Sequence, residues 1–326
     1  MNVGLAYDLQ TNPHDPRQAE FDPPRVLDAV CLALEQLGHR VERLGNAQTL
    51  LEHPECLTGI KLVLNLAEGS WSRNREAWIP ILLDLWKVPY VGSDALALSV
   101  GLDKHLTKSL ALGSGVPTPA WVTVNHPDEI PPRLPFDFPV IVKPRYEGSG
   151  IGIDPGAVVR SHQALRHRAG WLFAAWPQAQ IIEAFVPDGE LTVFMIGNEP
   201  PEIFPAIQRP LDPASRLSCH VVPSARSAPE VPLLLDARLD QAARQMALTM
   251  FQALGCRDLA RVDLRVDAAG QPWFLEINPL PTFDPEGTMG LLAEYLGLRY
   301  IDMMGRVVDA ALRRLASGRA TSSRIL

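Results

Sequence analysis

The sequence predicts an α/β protein of two or three lobes. At 326 residues the chain is too long for one small hydrophobic core. Residues 1–100 alternate between strand-like and helix-like patterns, which favours an open and largely parallel sheet. Residues 259–278 hold two alternating segments around a turn, which predict an antiparallel hairpin. The chain therefore combines an α/β part with an α+β part.

Composition and charge indicate a globular protein that does not bind nucleic acid. Hydrophobic residues make up 47% of the chain and charged residues 21%, as in an ordinary globular protein. The formal net charge is -7 and no run of Lys and Arg stands out, so nucleic acid is not an expected partner. A polyanionic ligand would need a few cations placed beside it.

No segment has the pattern of a targeting sequence or a membrane span. The N-terminus lacks a basic stretch followed by an apolar one, and no window approaches about 18 uncharged apolar residues. The four cysteines are scattered, without the spacing of a zinc site or the density of a disulfide scaffold. We therefore expect a cytoplasmic protein with reduced thiols and no membrane partner.

Strand and helix patterns alternate in the first part of the chain. Continuous apolar runs place the strands, while helical spacing and punctuation by proline and glycine place the helices. The predicted strands are 3–7, 39–44, 61–66 and 88–92. The predicted helices are 26–37, 76–86 and 103–112.

The second part of the chain begins after a turn-rich segment, 113–119. Strands are predicted at 139–143, 180–186, 191–196, 259–267 and 272–278. Helices are predicted at 162–169, 239–254 and 301–315. Residues 208–232 are rich in Pro, Ser and Arg and predict a long loop, of a length typical of functional lids. Residues 317–326 are expected to fray.

The predicted hairpin at 259–278 brings two carboxylates together. If Asp267 pairs with Pro272, Asp263 lies directly across from Glu276, with Cβ atoms about 5 Å apart. Strict alternation predicts an apolar face with Ala260, Val262, Leu264, Val266, Trp273, Leu275 and Ile277. It predicts a polar face with Arg261, Asp263, Arg265, Phe274, Glu276 and Asn278.

The polar face of this hairpin has two interpretations. Two carboxylates and the Asn278 amide oxygen are the hard ligands that magnesium selects, usually together with substrate phosphates. Alternatively, the face is solvated, and Arg261 and Arg265 simply neutralise the two carboxylates. The pattern alone does not decide between them.

A lysine and a glycine-rich loop follow one another at the end of the strand 139–143. Lys143 precedes the loop 145–152, in which glycines let backbone N–H groups approach a phosphate while the lysine supplies a point charge. The segment is not a P-loop. A plain glycine-rich turn would have the same sequence, and Lys104 in its predicted helix would ordinarily be solvated.

Taken together and in order, these segments resemble the ATP-grasp superfamily, in its D-alanine–D-alanine ligase-like branch. The matching motifs are Tyr90-Val91-Gly92-Ser93, Asp103-Lys104, Val116-Pro117-Thr118-Pro119, Val142-Lys143-Pro144, Glu147-Gly148-Ser149, Glu190-Leu191-Thr192-Val193, Ala260-Arg261-Val262-Asp263 and Leu275-Glu276-Ile277-Asn278-Pro279. They span roughly residues 3–315. The resemblance implies an ATP-grasp fold of three lobes: an N-terminal α/β domain (1–108), a central α+β lobe (109–187) and a C-terminal α+β lobe (188–316), followed by a flexible tail (317–326).

The resemblance also implies roles for individual residues. ATP would be bound by Lys104, Lys143, Gly148, Ser149, Gly150, Glu183, Phe185, Val186 and Glu190. Magnesium, or alternatively manganese, would be ligated by Asp263, Glu276 and Asn278. Arg261 would stabilise the acyl-phosphate, the loop at Ser149 would close over the phosphates, and Glu20 would hold the ammonium of the first substrate.

The sequence departs from the family mainly around the substrates. The family's His-Gly motif is replaced by residues 65–69, and residues 208–226 contain neither the lid tyrosine nor the lid lysine of D-alanine–D-alanine ligases. The candidate substrate-pocket residues are Glu68, Arg75, Glu76, His220 and Thr282.

These features predict an ATP-dependent ligase that joins a carboxylate to an amine, on amino-acid-like substrates other than plain D-alanine. One alternative is the housekeeping D-alanine–D-alanine ligase of cell-wall synthesis. Another is an ATP-binding regulatory protein without activity. The expected partners are small amino acids or carboxylates. The family is often dimeric, but no segment identifies a homodimer interface.

Overall fold

The computed structural model describes residues 1–219 and 236–322. Three sheets organise this part of the chain. The strands are β1 (Asn2–Ala6), β2 (Arg40–Gly45), β3 (Leu62–Asn65), β4 (Tyr90–Val91), β5 (Trp121–Val124), β6 (Val140–Pro144), β7 (Val158–Val159), β8 (Gln180–Ala184), β9 (Gly189–Ile196), β10 (Glu202–Ile203), β11 (Ile207–Gln208), β12 (Leu259–Val266) and β13 (Pro272–Asn278). The helices are α1 (Pro24–Gln36), α2 (Ala47–Glu52), α3 (Trp78–Trp86), α4 (Ala95–Leu102), α5 (Lys104–Gly113), α6 (His162–Ala175), α7 (Ala237–Leu254), α8 (Thr288–Tyr295) and α9 (Tyr300–Ser322).

The first sheet is parallel, with the strand order β2-β1-β3-β4. β3 is buried along its whole length because helices cover both faces. The core on one face includes residues of α1, α8 and α9, and the core on the other includes residues of α2 and α3. This confirms the open parallel sheet predicted from the sequence.

The second sheet is antiparallel, with the order β5-β8-β6-β7. Apolar residues of α6 pack against one face, and Ser161 caps the start of this helix by accepting a hydrogen bond from the Ala164 amide. The opposite face carries Lys143 and Glu183 toward a cleft. The sheet therefore presents one apolar and one functional surface.

The third sheet has the order β10-β9-β12-β13, with β11 also paired to β9. The apolar face of α7 packs against it, and α7 ends at Gly255, whose φ of 71° gives a left-handed cap. Ala111 of α5 lies in the same core, while Phe194 and Leu259 of this sheet join the core of the first sheet. The sheets therefore share hydrophobic cores at their borders.

The sequence did not predict several short elements, namely α2, α4, α8, β5, β7, β10 and β11. α4 is apolar on all sides, and β10 and β11 have only two residues each. None of the three therefore shows a clear hydrophobic periodicity. α9 continues to Ser322, beyond the predicted end at residue 315. The predicted loop 208–232 begins with ordered residues, since Leu211 and Ser218 form a β-bridge, and residues 220–232 lie outside the described residues.

Two further observations bear on sequence expectations. Cys31, Cys56 and Cys256 are free thiols, as predicted. No helix in the described ranges combines the length and the apolar character that crossing a bilayer requires.

Candidate active site

Two adjoining clefts lie at the borders of the three sheets. The first cleft has a volume of about 350 Å³ and is lined by residues of the second and third sheets. The second cleft, of about 510 Å³, is lined by loops of the N-terminal part and by the end of β13. Nine of the described residues line both clefts, and Lys104, Ser149, Arg261 and Glu276 are four of them. A ligand in one cleft would therefore meet a ligand in the other beside these four side chains.

All residues expected to bind ATP line the first cleft. They are Lys104, Lys143, Gly148, Ser149, Gly150, Glu183, Phe185, Val186 and Glu190. The structure brings them together from α5, β6, β8, β9, the loop between β6 and β7, and the connection between β8 and β9.

Asp263 and Glu276 are Cα partners across β12 and β13, as the sequence predicted. The strand register from which this pairing was predicted was wrong, however. Pro272 pairs with Val266 rather than with Asp267, and a β-bulge then shifts the register between Asp263 and Leu264. The extra residue of the bulge restores the predicted pairing of the two carboxylates.

Because of the bulge, the faces of the hairpin differ from the predicted ones. Leu264 pairs with Phe274, which is fully buried in the core under α7 instead of lying on the polar face. Trp273 donates a hydrogen bond to Asp267 at 2.9 Å, and Leu275 lines the first cleft. Strict alternation fails here because one added residue exchanges the two faces for the rest of the strand.

Each of the two carboxylates has a cation beside it. Arg261 Nη2 lies 3.0 Å from Asp263 Oδ2, and Lys104 Nζ lies 3.2 Å from Glu276 Oε2. Burial alone would raise the pKa of Glu276, but the charges of Lys104, Lys143 and Arg261 outweigh it and hold the pKa at about 2. Glu276 is therefore ionised at neutral pH.

Arg265 does not neutralise this pair, contrary to the solvated-face alternative. Its Nη1 donates to Glu190 Oε2 at 2.9 Å, its Nε to the Val186 carbonyl at 2.7 Å and its Nη2 to the Arg216 carbonyl at 2.9 Å. The guanidinium also lies over the Phe185 ring, 5.2 Å from the centroid. A single buried arginine thus fixes one wall of the first cleft.

Lys104 is oriented by the start of α5. Asp103 caps the helix by accepting from the amides of His105 and Leu106, and it accepts two hydrogen bonds from Arg145, each at 2.7 Å. Lys104 itself is only 7% exposed and donates to the Glu147 carbonyl. The alternative that this lysine is merely solvated is therefore wrong.

Glu183 lies between two lysines. Lys143 Nζ is 3.0 Å from Glu183 Oε1, and Lys108 Nζ is 2.7 Å from Oε2. Burial would raise the pKa of Glu183, but the two ammonium groups lower it overall. Burial lowers the pKa of Lys108 to about 8. Lys108 escaped sequence reasoning, although it follows Lys104 by one helical turn.

Glu20 is held inside the protein rather than left free for a ligand. Arg75 Nη2 donates to Glu20 Oε2 at 2.5 Å, and the Gly148 amide donates to Oε1 at 2.9 Å. Arg75 Nη1 also donates to the Tyr146 carbonyl, at 2.8 Å. Glu20 lines the second cleft, whereas Arg75 lies behind it and links the N-terminal part to the glycine-rich loop.

Glu68 and Glu76 line the second cleft together with Asp22 and Thr282. Burial raises the pKa of Glu76 to about 8, and burial together with the charge of Glu76 raises the pKa of Glu68. Burial and the charge of Asp284 raise the pKa of Asp22 to about 7. These shifts therefore stem first from burial, and the charges of Arg75 and Lys104 oppose the rise of the Glu76 pKa. The remaining substrate candidate, His220, lies outside the described residues.

Comparisons with known proteins identify the family. A family model described as the C-terminus of D-Ala–D-Ala ligase matches residues 111–309. A D-alanine–D-alanine ligase of Alcanivorax borkumensis is 34% identical over 96% of this chain and 85% of its own length. The chain belongs to the D-alanine–D-alanine ligase family.

Three other proteins are also similar to this D-alanine–D-alanine ligase family member, one in sequence and two in structure. The uncharacterized protein y4sG of Sinorhizobium fredii is 31% identical over 89% of this chain and 88% of that protein. A D-alanine–D-alanine ligase from Bacillus anthracis, solved in complex with ATP, superposes with a TM-score of 0.76 at 19% identity, covering 98% of this chain and 99% of that one. The VanG D-Ala:D-Ser ligase of Enterococcus faecalis superposes with a TM-score of 0.74 at 17% identity, over 95% and 99%. The fold is therefore ATP-grasp, and the chain is an ATP-grasp ligase that forms carbon–nitrogen bonds.

The donor set of this family member fits a magnesium ion that is completed by phosphate oxygens. Asp263 and Glu276 supply two carboxylates, and Asn278 supplies an amide oxygen, since its Nδ2 donates to Asp263 Oδ2 at 3.2 Å. Within residues 1–219 and 236–322, no group of three or more His, Cys, Asp or Glu side chains is arranged to hold a metal. A carboxylate pair of this kind suits magnesium bound together with a nucleotide.

Proposed function

We propose that the protein activates a carboxylate by transferring the γ-phosphoryl group of ATP to it and then joins it to an amine, on amino-acid-like substrates other than plain D-alanine. The observation that supports this most directly is the junction of the two clefts. Lys104, Arg261 and Glu276 line both clefts, so phosphate and carboxylate would meet beside two cations.

ATP would occupy the first cleft. Lys104 and Lys143 would bind phosphate oxygens, and the glycine-rich loop at Ser149 would cover them. Phe185 and Val186 would line the adenine pocket, and the free oxygen of Glu190 would hold the ribose. Arg265 supports this wall by binding both the Val186 carbonyl and Glu190. The residues thus divide the cleft into a phosphate end and a base end.

Asp263, Glu276 and Asn278 would hold magnesium at the phosphate end. The metal would neutralise phosphate charge as the γ-phosphoryl group moves. Arg261, which pairs with Asp263, would also stabilise the charge on the acyl-phosphate oxygens, because its side chain lies at the junction of the two clefts. Catalysis would then consist mainly of positioning and charge neutralisation.

The second reaction step requires that water be kept away from the acyl-phosphate. An amine in the second cleft would attack the activated carbonyl carbon, the C–N bond would form, and phosphate would leave with the former carboxylate oxygen. The loop at Ser149 lines both clefts. It would close over the intermediate and exclude water from it.

The substrate side supports a substrate other than plain D-alanine. Both oxygens of Glu20, the residue that would hold the first ammonium, already bind Arg75 and Gly148. The segment 208–226 has neither tyrosine nor lysine. Acidic side chains of Glu68 and Glu76 line the second cleft instead.

A phosphate-release and thermal-shift screen with D- and L-amino acids tests the proposal. We expect turnover with other amino acids to exceed turnover with D-alanine. Robust turnover with D-alanine alone would identify the housekeeping D-alanine–D-alanine ligase, the alternative favoured by the names of several relatives. ATP binding without any substrate-dependent phosphate release would identify a regulatory protein, although the placement of Arg261 at the junction argues against that reading.

A further inference from the structure

The second cleft contains more carboxylates than its own cations neutralise. Arg25 is 2.7 Å from Asp284, Lys104 is 3.2 Å from Glu276, and Arg261 is 3.0 Å from Asp263. Each cation of the cleft lining is therefore already paired.

Arg25 also lies 3.4 Å from Glu286, and Arg75, behind the cleft, pairs with Glu20 at 2.5 Å and with Glu147 at 3.4 Å. The lining carboxylates that remain are Asp22, Glu68 and Glu76. In the described part of the chain, none of the three has a hydrogen bond or an ion pair within 4 Å. Glu76 is only 7% exposed and Asp22 only 8%, yet both line the cleft. A buried carboxylate without a partner is costly unless it is protonated or a ligand supplies a cation.

Glu68 and Glu76 lie in the loop between β3 and α3, and contacts inside the protein fix the conformation of this loop. The Gly69 amide donates to Asp8 Oδ2 at 2.8 Å, which fixes the loop against the end of β1. A Cβ atom on Gly69 would lie 2.9 Å from the Arg75 Cβ, so the two ends of the loop are packed together. The acidic pair is therefore a fixed feature of the cleft wall.

We propose that the second cleft takes a substrate with an additional cationic group, an ammonium or guanidinium that does not react, and that Glu68 and Glu76 hold this group. The inference rests on the proposed ligase function and specifies its substrate class. A basic amino acid and a diamine both carry the required charge. The neighbouring Asp22 would add attraction without binding the group directly.

Matched pairs of substrates test this proposal. Ornithine differs from norvaline chiefly by the terminal ammonium, and lysine differs from norleucine in the same way. Each compound is assayed in both enantiomers with ATP and Mg²⁺. We expect phosphate release with the ammonium-bearing member to exceed that with its neutral match by about 10-fold or more in kcat/KM.

The variants Glu76→Gln and Glu68→Gln should each reduce this preference toward unity while preserving the thermal midpoint. Glu35→Gln, an exposed carboxylate on α1 outside both clefts, removes the same charge and should keep the preference. Equal turnover of charged and neutral members by the unmodified protein would overturn the inference and leave the ligase function standing.

Calorimetric titration with a non-hydrolysable ATP analogue provides a readout without turnover. If no compound and no D-alanine releases phosphate, the proposed ligase function fails. Tighter binding of ornithine than of norvaline, lost in Glu76→Gln, would still support the cation site. Equal binding of both would overturn it.

Discussion

The Gly148 amide donates a hydrogen bond to Glu20 Oε1 at 2.9 Å, across 128 residues of sequence. Gly148 belongs to the loop between β6 and β7, and Glu20 precedes α1, so the bond joins the glycine-rich loop to the N-terminal part. Both residues line the second cleft. A Cβ atom on Gly148 would lie 2.4 Å from that same oxygen. The loop can approach Glu20 this closely only because residue 148 is glycine.

Gly148→Ala should therefore reduce activity more than stability. The added methyl group displaces Glu20 or the loop, and misplacement of a phosphate-covering loop is expected to lower kcat/KM about 10-fold or more. Steady-state phosphate release and the thermal midpoint measure the two effects. Gly170→Ala is the control, because Gly170 lies inside α6 with open space around it and should gain about 0.5–1 kcal/mol of stability without loss of activity. Unchanged kcat/KM in Gly148→Ala would contradict the role of this close approach.

Glu276→Gln should abolish turnover while leaving the fold nearly unchanged. The side chain is 21% exposed and its ion-pair partner is Lys104, so little of the core depends on it. We expect kcat to fall by a factor of about 100–1,000 or more, as for loss of a preorganised electrostatic group. Phosphate release across a magnesium titration measures the effect, and Glu294→Gln on the exposed side of α8 is the charge-matched control. Unimpaired activity in Glu276→Gln would remove the magnesium assignment.

Arg265→Lys should weaken ATP binding more than it slows the chemical step. Arginine reaches Val186, Glu190 and Arg216 at once, and an ammonium cannot reproduce that planar fork. We expect the KM for ATP to rise about 10-fold with a smaller change in kcat. Arg313→Lys on the exposed face of α9 should change neither constant. A loss confined to kcat would show that Arg265 does not shape the nucleotide cleft.

Lys108→Met should destabilise the protein by leaving a carboxylate oxygen of Glu183 without its partner. Lys108 is fully buried and donates to Thr118 as well as pairing with Glu183. Removing one partner of a buried pair costs about 3–5 kcal/mol. The double variant Lys108→Met/Glu183→Gln should recover part of this free energy of unfolding, as measured by urea denaturation. Additive losses would show that the two groups are not coupled.

Asp22→Asn should stabilise the protein above neutral pH and have little effect near pH 4. Burial and the neighbouring Asp284 and Asp8 raise the pKa of Asp22 from 3.8 to about 7 in the folded chain. The stability that depends on its proton is therefore complete below pH 3.8 and is lost as the pH rises through about 7. The rise from 3.8 to about 7 corresponds to about 4 kcal/mol. Thermal midpoints from pH 4 to 9 measure it, and a pH-independent difference would contradict the assignment.

The sequence predicted the pairing of Asp263 with Glu276 only through a register that the structure does not have. By itself it determined the order of the motifs and the parallel first sheet. These follow from local signals, because apolar runs, alternation and turn residues act over a few positions. It did not determine the bulge in β13, which exchanged the faces of Trp273 and Phe274. Burial of Phe274 under α7 stabilises that bulge, and this contact depends on packing between distant segments.

Only the tertiary structure decided which charges meet. Arg75 pairs with Glu20 from 55 residues away, and Arg265 pairs with Glu190 from 75 residues away. Neither partner is marked by a local period, because an ion pair depends on where the lobes place two side chains and not on their spacing along the chain. The unpaired carboxylates of the second cleft, on which the proposed cation site rests, are therefore recognisable only in the tertiary structure.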